Sequence, residues 1–275
     1  MKRILTIQDI SCVGKCSLTV ALPIISSYGI EASILPTAVL STHTAFNSFT
    51  FHDLTDEITP IASVWKSEGI EFDGLYTGYL GSKRQIDLVL RLFRDFGNRK
   101  IKFVDPAMGD NGSLYKGFNK DFAHEMAKLC SAADIIVPNL TEACFMLDKP
   151  YIPSGYSEDY VKELLTSLVG LGCKRVVLTG VGFSSDELGC YGYDAEKREF
   201  FSHFNKRNKQ SFHGTGDVFA SVFAGAVVRG KTALEAASLA ADIVCEAIRV
   251  TDDDHWYGVS FEKAIPALVK AFCRV

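Results

Sequence analysis

The chain has 275 residues, of which 47 % are hydrophobic and 23 % charged, with a net charge of −4 at pH 7. That length holds one large α/β domain or two ordinary ones, and the composition is that of a globular protein in water. The weak acidic balance, with no stripe of lysine and arginine, argues against a nucleic-acid surface. No apolar run approaches the roughly 20 residues needed to span a bilayer, so no membrane partner is expected. The eight cysteines are scattered without a C-x-x-C pair, which points to reduced thiols rather than disulfides or zinc ligands. Met1-Lys2-Arg3 leads into a short apolar segment that stops at Gln8-Asp9. No targeting segment is therefore expected, and the protein is placed in the cytoplasm.

In chain order, residues 3–8 are apolar at nearly every position, as in a strand buried on both faces of a parallel sheet. Residues 9–15 read as a polar turn. Residues 17–28 predict a helix that buries Leu18, Ala21, Leu22 and Ile25 and stops at Gly29. Residues 31–36 predict a second strand. This βαβ opening, and the alternation that follows it, predict a central, mostly parallel sheet with helices on both faces, as one domain over 1–275.

Ligands of such sheets gather at the carboxyl ends of the strands. There Asp9 and Ser11 follow the first strand. Ser41-Thr42-His43-Thr44 follows the second and sets hydroxyls and an imidazole at the rim. Residues 46–56 read as a flap over that rim, or as a plain surface hairpin. Residues 59–69 predict a helix with Ile61, Val64 and Trp65 inward. Residues 74–81 predict a strand running into a glycine-framed turn, where Tyr79 can offer its ring to a flat ligand. Ser82 caps a helix to Phe96 with Ile86, Val89, Leu90 and Phe93 on its core face.

The strand that ends in Asp105-Pro106 leaves a carboxylate at the sheet edge, with Tyr115 in the loop beyond. After the strand 135–137, Asn139 and Glu142 share one face of a first helical turn. The same spacing is that of a capping box. A helix over 157–170 and a strand over 175–180 bearing Thr179 come next. A hairpin pairs 188–193 with 198–203, and Lys206, Arg207 and Lys209 form a basic loop. Helices over 232–250 and 260–272 close the chain.

The chemistry concentrates in His213-Gly214-Thr215-Gly216-Asp217. A helix starting near Thr215 leaves its first amides without partners, and Gly214 and Gly216 let a ligand approach them closely. With the helix dipole this is an anion site. Asp217 repels an anion there. It is either a favourable charge at the helix start or a base that takes a proton from a hydroxyl attacking a phosphoryl group.

Gly214-Thr215-Gly216-Asp217 followed by a helix of small residues resembles the C-terminal signature of the ribokinase-like small-molecule kinases. Asp105-Pro106-Ala107-Met108-Gly109-Asp110, Ser41-Thr42-His43-Thr44 and Thr77-Gly78-Tyr79 resemble segments of the pyridoxal kinase branch. The resemblance covers essentially the whole chain. It implies that Gly214, Thr215 and Gly216 form an anion hole and that Asp217 is the base. It sets Asp105, Asn139, Thr179 and Tyr115 around ATP, Glu142 and Asp105 around Mg²⁺, and Asp9, Ser11, His43, Thr44 and Tyr79 around the substrate. ATP is the implied co-substrate, a monovalent cation is left open, and a homodimer is expected by analogy. The substrate is then the primary alcohol of a vitamin B6 form. Many members of that branch carry serine in place of Asp9 and a longer loop after it. A hydroxymethylpyrimidine kinase is the nearest alternative, although such enzymes usually carry cysteine in place of Asp217. A non-catalytic nucleotide-binding sensor is the alternative from another class, against which the retention of Asp217, Asn139 and Glu142 speaks. No G-x-G-x-x-G follows the first strand, which argues against a NAD-binding dehydrogenase.

Overall fold

The computed structural model describes residues 1–208 and 210–272. Strand β1 (Arg3–Val13) leads through a turn to helix α1 (Leu18–Ser27) and strand β2 (Glu31–Thr42). Then come β3 (Phe51–Asp53), α2 (Ile58–Ser67), β4 (Gly74–Thr77), α3 (Lys83–Phe96) and β5 (Ile101–Val104). A small ribbon of β6 (Gly109–Asp110) and β7 (Ser113–Leu114) precedes α4 (Lys120–Ser131), β8 (Ile135–Ile136), α5 (Leu140–Met146) and α6 (Glu158–Gly170). The chain continues through β9 (Arg175–Val181), β10 (Glu187–Asp194), β11 (Glu199–Lys206), α7 (Thr215–Val228), α8 (Ala233–Arg249) and α9 (Ile265–Phe272).

The main sheet has the order β11-β10-β9-β8-β5-β4-β1-β2-β3. Its centre is parallel, with β3 antiparallel at one edge and the β10–β11 hairpin antiparallel at the other. Alternation along each strand feeds two cores. Leu5 and Ile7 of β1 pack with residues of α3, α4 and α6 on one face. Ile4 packs with residues of α1, α7 and α8 on the other. Helix α7 is nearly all buried, from Val218 to Ala226, and its small residues let neighbours approach. Tyr28, just after α1, lies where a Cβ on Gly225 would be, and its hydroxyl donates to the Val222 carbonyl at 3.0 Å.

The first two strands run further than their apolar segments predict. Residues 9–13 are strand rather than turn, and β2 continues to Thr42. The pairing slips between Gln8, opposite Pro36, and Ile10, opposite Val39. Asp9 thus sits at a bulge, a device that re-aims side chains beside sites. Its polarity, with that of Ser11, imitates a turn in the sequence. Two helix faces also differ from expectation. Leu22 of α1 is 41 % exposed while Val20 and Ile24 are buried. Val64 of α2 is 58 % exposed, because it lies about 100° around the helix from Trp65, and Ile58, Ile61 and Trp65 face the core instead. The Ser82 cap is present, accepting from the Gln85 amide at 3.2 Å. Of the predicted basic loop, Lys206 ends β11, and Lys209 lies outside the described residues.

The start of α7 is fixed by a close approach. Gly214 has φ 84, and a Cβ placed on it would lie 1.7 Å from the Lys15 carbonyl oxygen. A Cβ on Gly216 would meet nothing within 4 Å. Gly214→Ala is expected to destabilise the protein by about 2–4 kcal/mol. Gly216→Ala should leave stability unchanged or raise it by up to about 1 kcal/mol, while putting a methyl over the first-turn amides. Thermal unfolding of both variants checks the contrast, and equal losses would contradict it.

Candidate active site

The carboxyl ends of β1, β4, β5 and β8 and the first turn of α7 converge on one edge of the sheet. Gly214 caps α7 in the left-handed conformation, and its carbonyl accepts from the Val218 amide at 3.0 Å. The amides of Thr215, Gly216 and Asp217 come before the first intrahelical bond; those of Thr215 and Gly216 suit an anion, and that of Asp217 favours its own carboxylate. Asp217 is half-buried there. Burial, and the Asp9 charge behind it, push its carboxyl up to about 7, against the opposing pull of the Ser17 amide. A carboxylate that titrates near the working pH is well matched to general-base chemistry.

Asp105 follows β5, and its amide donates to the Thr77 carbonyl at 2.9 Å. It is buried, and burial, then Glu142, then Asp217 hold its pKa well above the ordinary carboxylate range. Asn139 follows β8, bridges to Thr179 on β9, and caps α5. The capping box is real. Asn139 Oδ1 accepts from the Glu142 amide at 2.9 Å, and Glu142 Oε2 accepts from the Asn139 amide at 2.8 Å. The same two side chains also staple the loop after β5. Glu142 Oε1 accepts from the Met108 amide at 3.0 Å, and Asn139 Nδ2 donates to the Gly109 carbonyl at 2.8 Å. Despite these amide donors, burial lifts Glu142 to about 7.

The carboxylates of Asp105, Glu142 and Asp217 therefore share one electrostatic neighbourhood. Among the described residues no lysine or arginine is among the main charges acting on them. Tyr115 joins it: its amide donates to the Met108 carbonyl at 2.8 Å, and burial followed by the Glu142 charge raises its hydroxyl pKa. Among the described residues no group of three or more His, Cys, Asp or Glu has the geometry to enclose a metal alone. Oxygen donors of this kind, each carboxyl raised first by burial, nonetheless suit a hard ion that keeps most of its waters. Glu142 Oε1 and Oε2 accept the Met108 and Asn139 amides, and the Gly109 amide also favours the charged carboxylate.

On the substrate side, Asp9 is 5 % exposed. Burial raises its pKa, while Ser17, Ser11 and His43 favour its charge. The Ser11 hydroxyl donates to Asp9 Oδ2 at 3.4 Å. The Asp9 charge also raises the Tyr79 hydroxyl, after burial, so the two share a space. The Tyr79 ring packs against Phe118 at 5.6 Å between centroids.

His43 is placed differently from a free ligand. Its Nδ1 accepts from the Ala45 amide at 3.2 Å, which assigns the proton to Nε2, and Nε2 donates to the Tyr257 carbonyl at 2.8 Å. With both nitrogens used and the side chain 3 % exposed, its ring packs tilted against His213 at 4.3 Å and edge-on to Phe46 at 4.8 Å. Thr44 is exposed, and Ser41 Oγ accepts from the Thr50 amide at 2.9 Å. The segment read as a flap is an irregular stretch followed by the edge strand β3. It meets a loop that sequence reasoning missed: Phe46 packs on Trp256 at 4.6 Å and on Tyr257 at 6.1 Å. Only the tertiary fold joins residues so far apart in sequence.

The phosphomethylpyrimidine kinase family matches this chain over residues 24–259. Pyridoxal kinase PdxY of Pasteurella multocida is 24 % identical over 268 residues, 94 % of this chain and 92 % of that protein. The thiamine biosynthetic bifunctional enzyme TH1 of Arabidopsis thaliana is 29 % identical over 206 residues, 69 % of this chain but 38 % of that longer protein. A candidate phosphomethylpyrimidine kinase of Bacteroides thetaiotaomicron, crystallised with pyridoxal, superimposes with a TM-score of 0.92 at 37 % identity, over 97 % of this chain and 95 % of that one. Pyridoxal kinase of Lactobacillus plantarum gives 0.89 at 28 % identity over 98 % of both. The sheet order and the matched residues agree: the fold is ribokinase-like, and the chain belongs to the phosphomethylpyrimidine kinase family, whose phosphotransfer to an alcohol is its activity.

Proposed function

We propose that the protein is an ATP-dependent kinase for the primary alcohol of a vitamin B6 form, giving the 5′-phosphate. The observation that carries this reading is Asp217, a carboxylate held near neutrality inside the free-amide turn of α7. The flat, protonatable pyridine ring suits the space shared by Tyr79 and Asp9, which a sugar would leave unused. The pyridoxal in the Bacteroides thetaiotaomicron crystals adds support.

In this reading Asp217 takes the proton of the CH₂OH group as its oxygen bonds to the γ-phosphorus of ATP, and the bond from that phosphorus to the β–γ bridging oxygen breaks to release ADP. The amides of Thr215 and Gly216, opened by the glycines at 214 and 216, hold the transferred group. Asn139, Thr179, Tyr115 and Asp105 flank the nucleotide. Glu142 and Asp105 would hold Mg²⁺ through its waters, and the ion, when bound, supplies positive charge to the phosphates. A single cytoplasmic domain acting as a homodimer is part of the same proposal.

A second reading, phosphorylation of hydroxymethylpyrimidine or its phosphate, is favoured by the family match and by the similarity to TH1. ADP release measured with pyridoxal, pyridoxamine, pyridoxine and hydroxymethylpyrimidine separates the two. The B6 forms are expected to lead in kcat/KM, and a tenfold or greater preference for the pyrimidine would reverse the assignment. In the same assay Asp217→Asn should lower kcat by about 10²–10⁴ with ATP still bound. A variant with near wild-type turnover removes Asp217 as the base, and no ADP release from any alcohol would favour a sensor.

Glu142→Gln tests the metal side. The variant is expected to raise the Mg²⁺ concentration for half-maximal rate several-fold, about 1 kcal/mol of coupling. If only thermal stability changes, Glu142 serves the capping box and the loop staple alone.

A further inference from the structure

Beyond Asp105 the chain leaves the sheet, makes the β6–β7 ribbon and returns through Tyr115. The ribbon is only two pairs long, Gly109 opposite Leu114 and Asp110 opposite Ser113. Its turn, Asn111-Gly112, has φ 50 and 77, the geometry that a two-residue hairpin demands and that asparagine and glycine take most readily. The Asp110 carboxylate locks the turn from within, accepting from the Asn111 amide at 2.8 Å and from its side-chain amide at 3.1 Å. Even so, a ribbon this short does not hold its place alone.

The first turn of α5 holds it at two points. At the base, Glu142 accepts from the Met108 amide and Asn139 donates to the Gly109 carbonyl. The tip has its own anchor, in which Thr141 Oγ1 accepts from the Gly112 amide at 2.9 Å. Thr141 is 2 % exposed, so water does not replace that bond if it breaks. A Cβ on Gly112 would lie 2.7 Å from the Tyr151 ring, which seats the tip on a second side. A ribbon tied only at its base can swing, and one tied at base and tip cannot. What emerges from it is Tyr115, 42 % exposed, with its amide bonded back to the Met108 carbonyl.

We propose that Thr141 is a positioning residue for the nucleotide side of the site: it anchors the tip of the β6–β7 ribbon to α5, so that Tyr115 is held in place before ATP arrives. Thr141 acts through the backbone of Gly112 and Tyr115 and does not itself touch the nucleotide. The binding energy that would otherwise order the ribbon is then kept for ATP. The inference rests on the reading of Tyr115, Asn139 and Thr179 as the residues that flank ATP.

Two variants test it, with ADP binding read by calorimetry and turnover read with the better of pyridoxal and hydroxymethylpyrimidine as acceptor. Thr141→Val keeps the shape and removes the oxygen, which leaves the Gly112 amide without a partner. Thr141→Ser keeps the oxygen. The valine variant should weaken ADP binding and raise KM for ATP by about five- to tenfold, with kcat and KM for the acceptor within about twofold. The serine variant should stay within about twofold of the wild type in all of these. ADP binding by Thr141→Val within twofold of wild type overturns the proposal, even where its melting temperature falls, and so does an equal loss in Thr141→Ser. If the valine variant does not fold, amide exchange in the wild type decides. The Gly112 amide should exchange at least about tenfold more slowly than in a free chain, and exchange at the free-chain rate overturns the anchor. The wild type separates the two claims. If it binds no ADP, the nucleotide reading fails. If it binds ADP and Thr141→Val binds equally well, only the role of Thr141 fails.

Discussion

The carboxylates of Asp9, Asp105, Glu142 and Asp217 are crowded at one edge of the sheet, and each is harder to ionise than in water. The folded state holds protons there that the unfolded chain would release. A raised carboxyl pKa means that stability falls as pH rises from about 4, where the unfolded acids ionise, toward 7, where Asp217 and Glu142 do. This site is therefore a cost to the fold at neutral pH. The cost makes chemical sense if a cation and a phosphoryl group, one attracted by the acids and the other by the amides of α7, arrive together with the substrates.

The rest of the architecture supplies the stability that this edge consumes. Two apolar cores sandwich the parallel centre of the sheet, and the strand ends they hold rigid are those that carry Asp9, Asp105 and Asn139. Helix α7 is buried from Val218 to Ala226, so its first turn is aimed by the packing of the turns that follow. The contact of Gly214 with the Lys15 carbonyl then fixes the amides against the β1–α1 turn. Sites placed on rigid elements keep the geometry that phosphoryl transfer needs, since positioning and charge do most of the catalysis.

Much of this was legible in the sequence because its signals are local. Gly-Thr-Gly-Asp announces an anion turn, Asp-Pro a strand end, and Asn139 with Glu142 a capped helix. What the sequence hid depends on three-dimensional placement. The polar residues 9–13 imitate a turn, and only pairing with β2 across a bulge makes them strand. His43 reads as a pocket ligand, yet its two nitrogens are taken by Ala45 and Tyr257, the latter 214 positions away. Glu142 was open to a metal role or a capping role, and the structure adds a third task, holding the Met108 amide.

The central claim is that Asp217 is poised as a base before any substrate binds. Carbon-13 NMR of the protein labelled at its aspartate carboxyls, titrated without ligands, tests this most directly. The Asp217 resonance is the one absent from Asp217→Asn. A midpoint near 7 is the predicted result. A midpoint near 4, that of an ordinary solvated aspartate, would contradict the account.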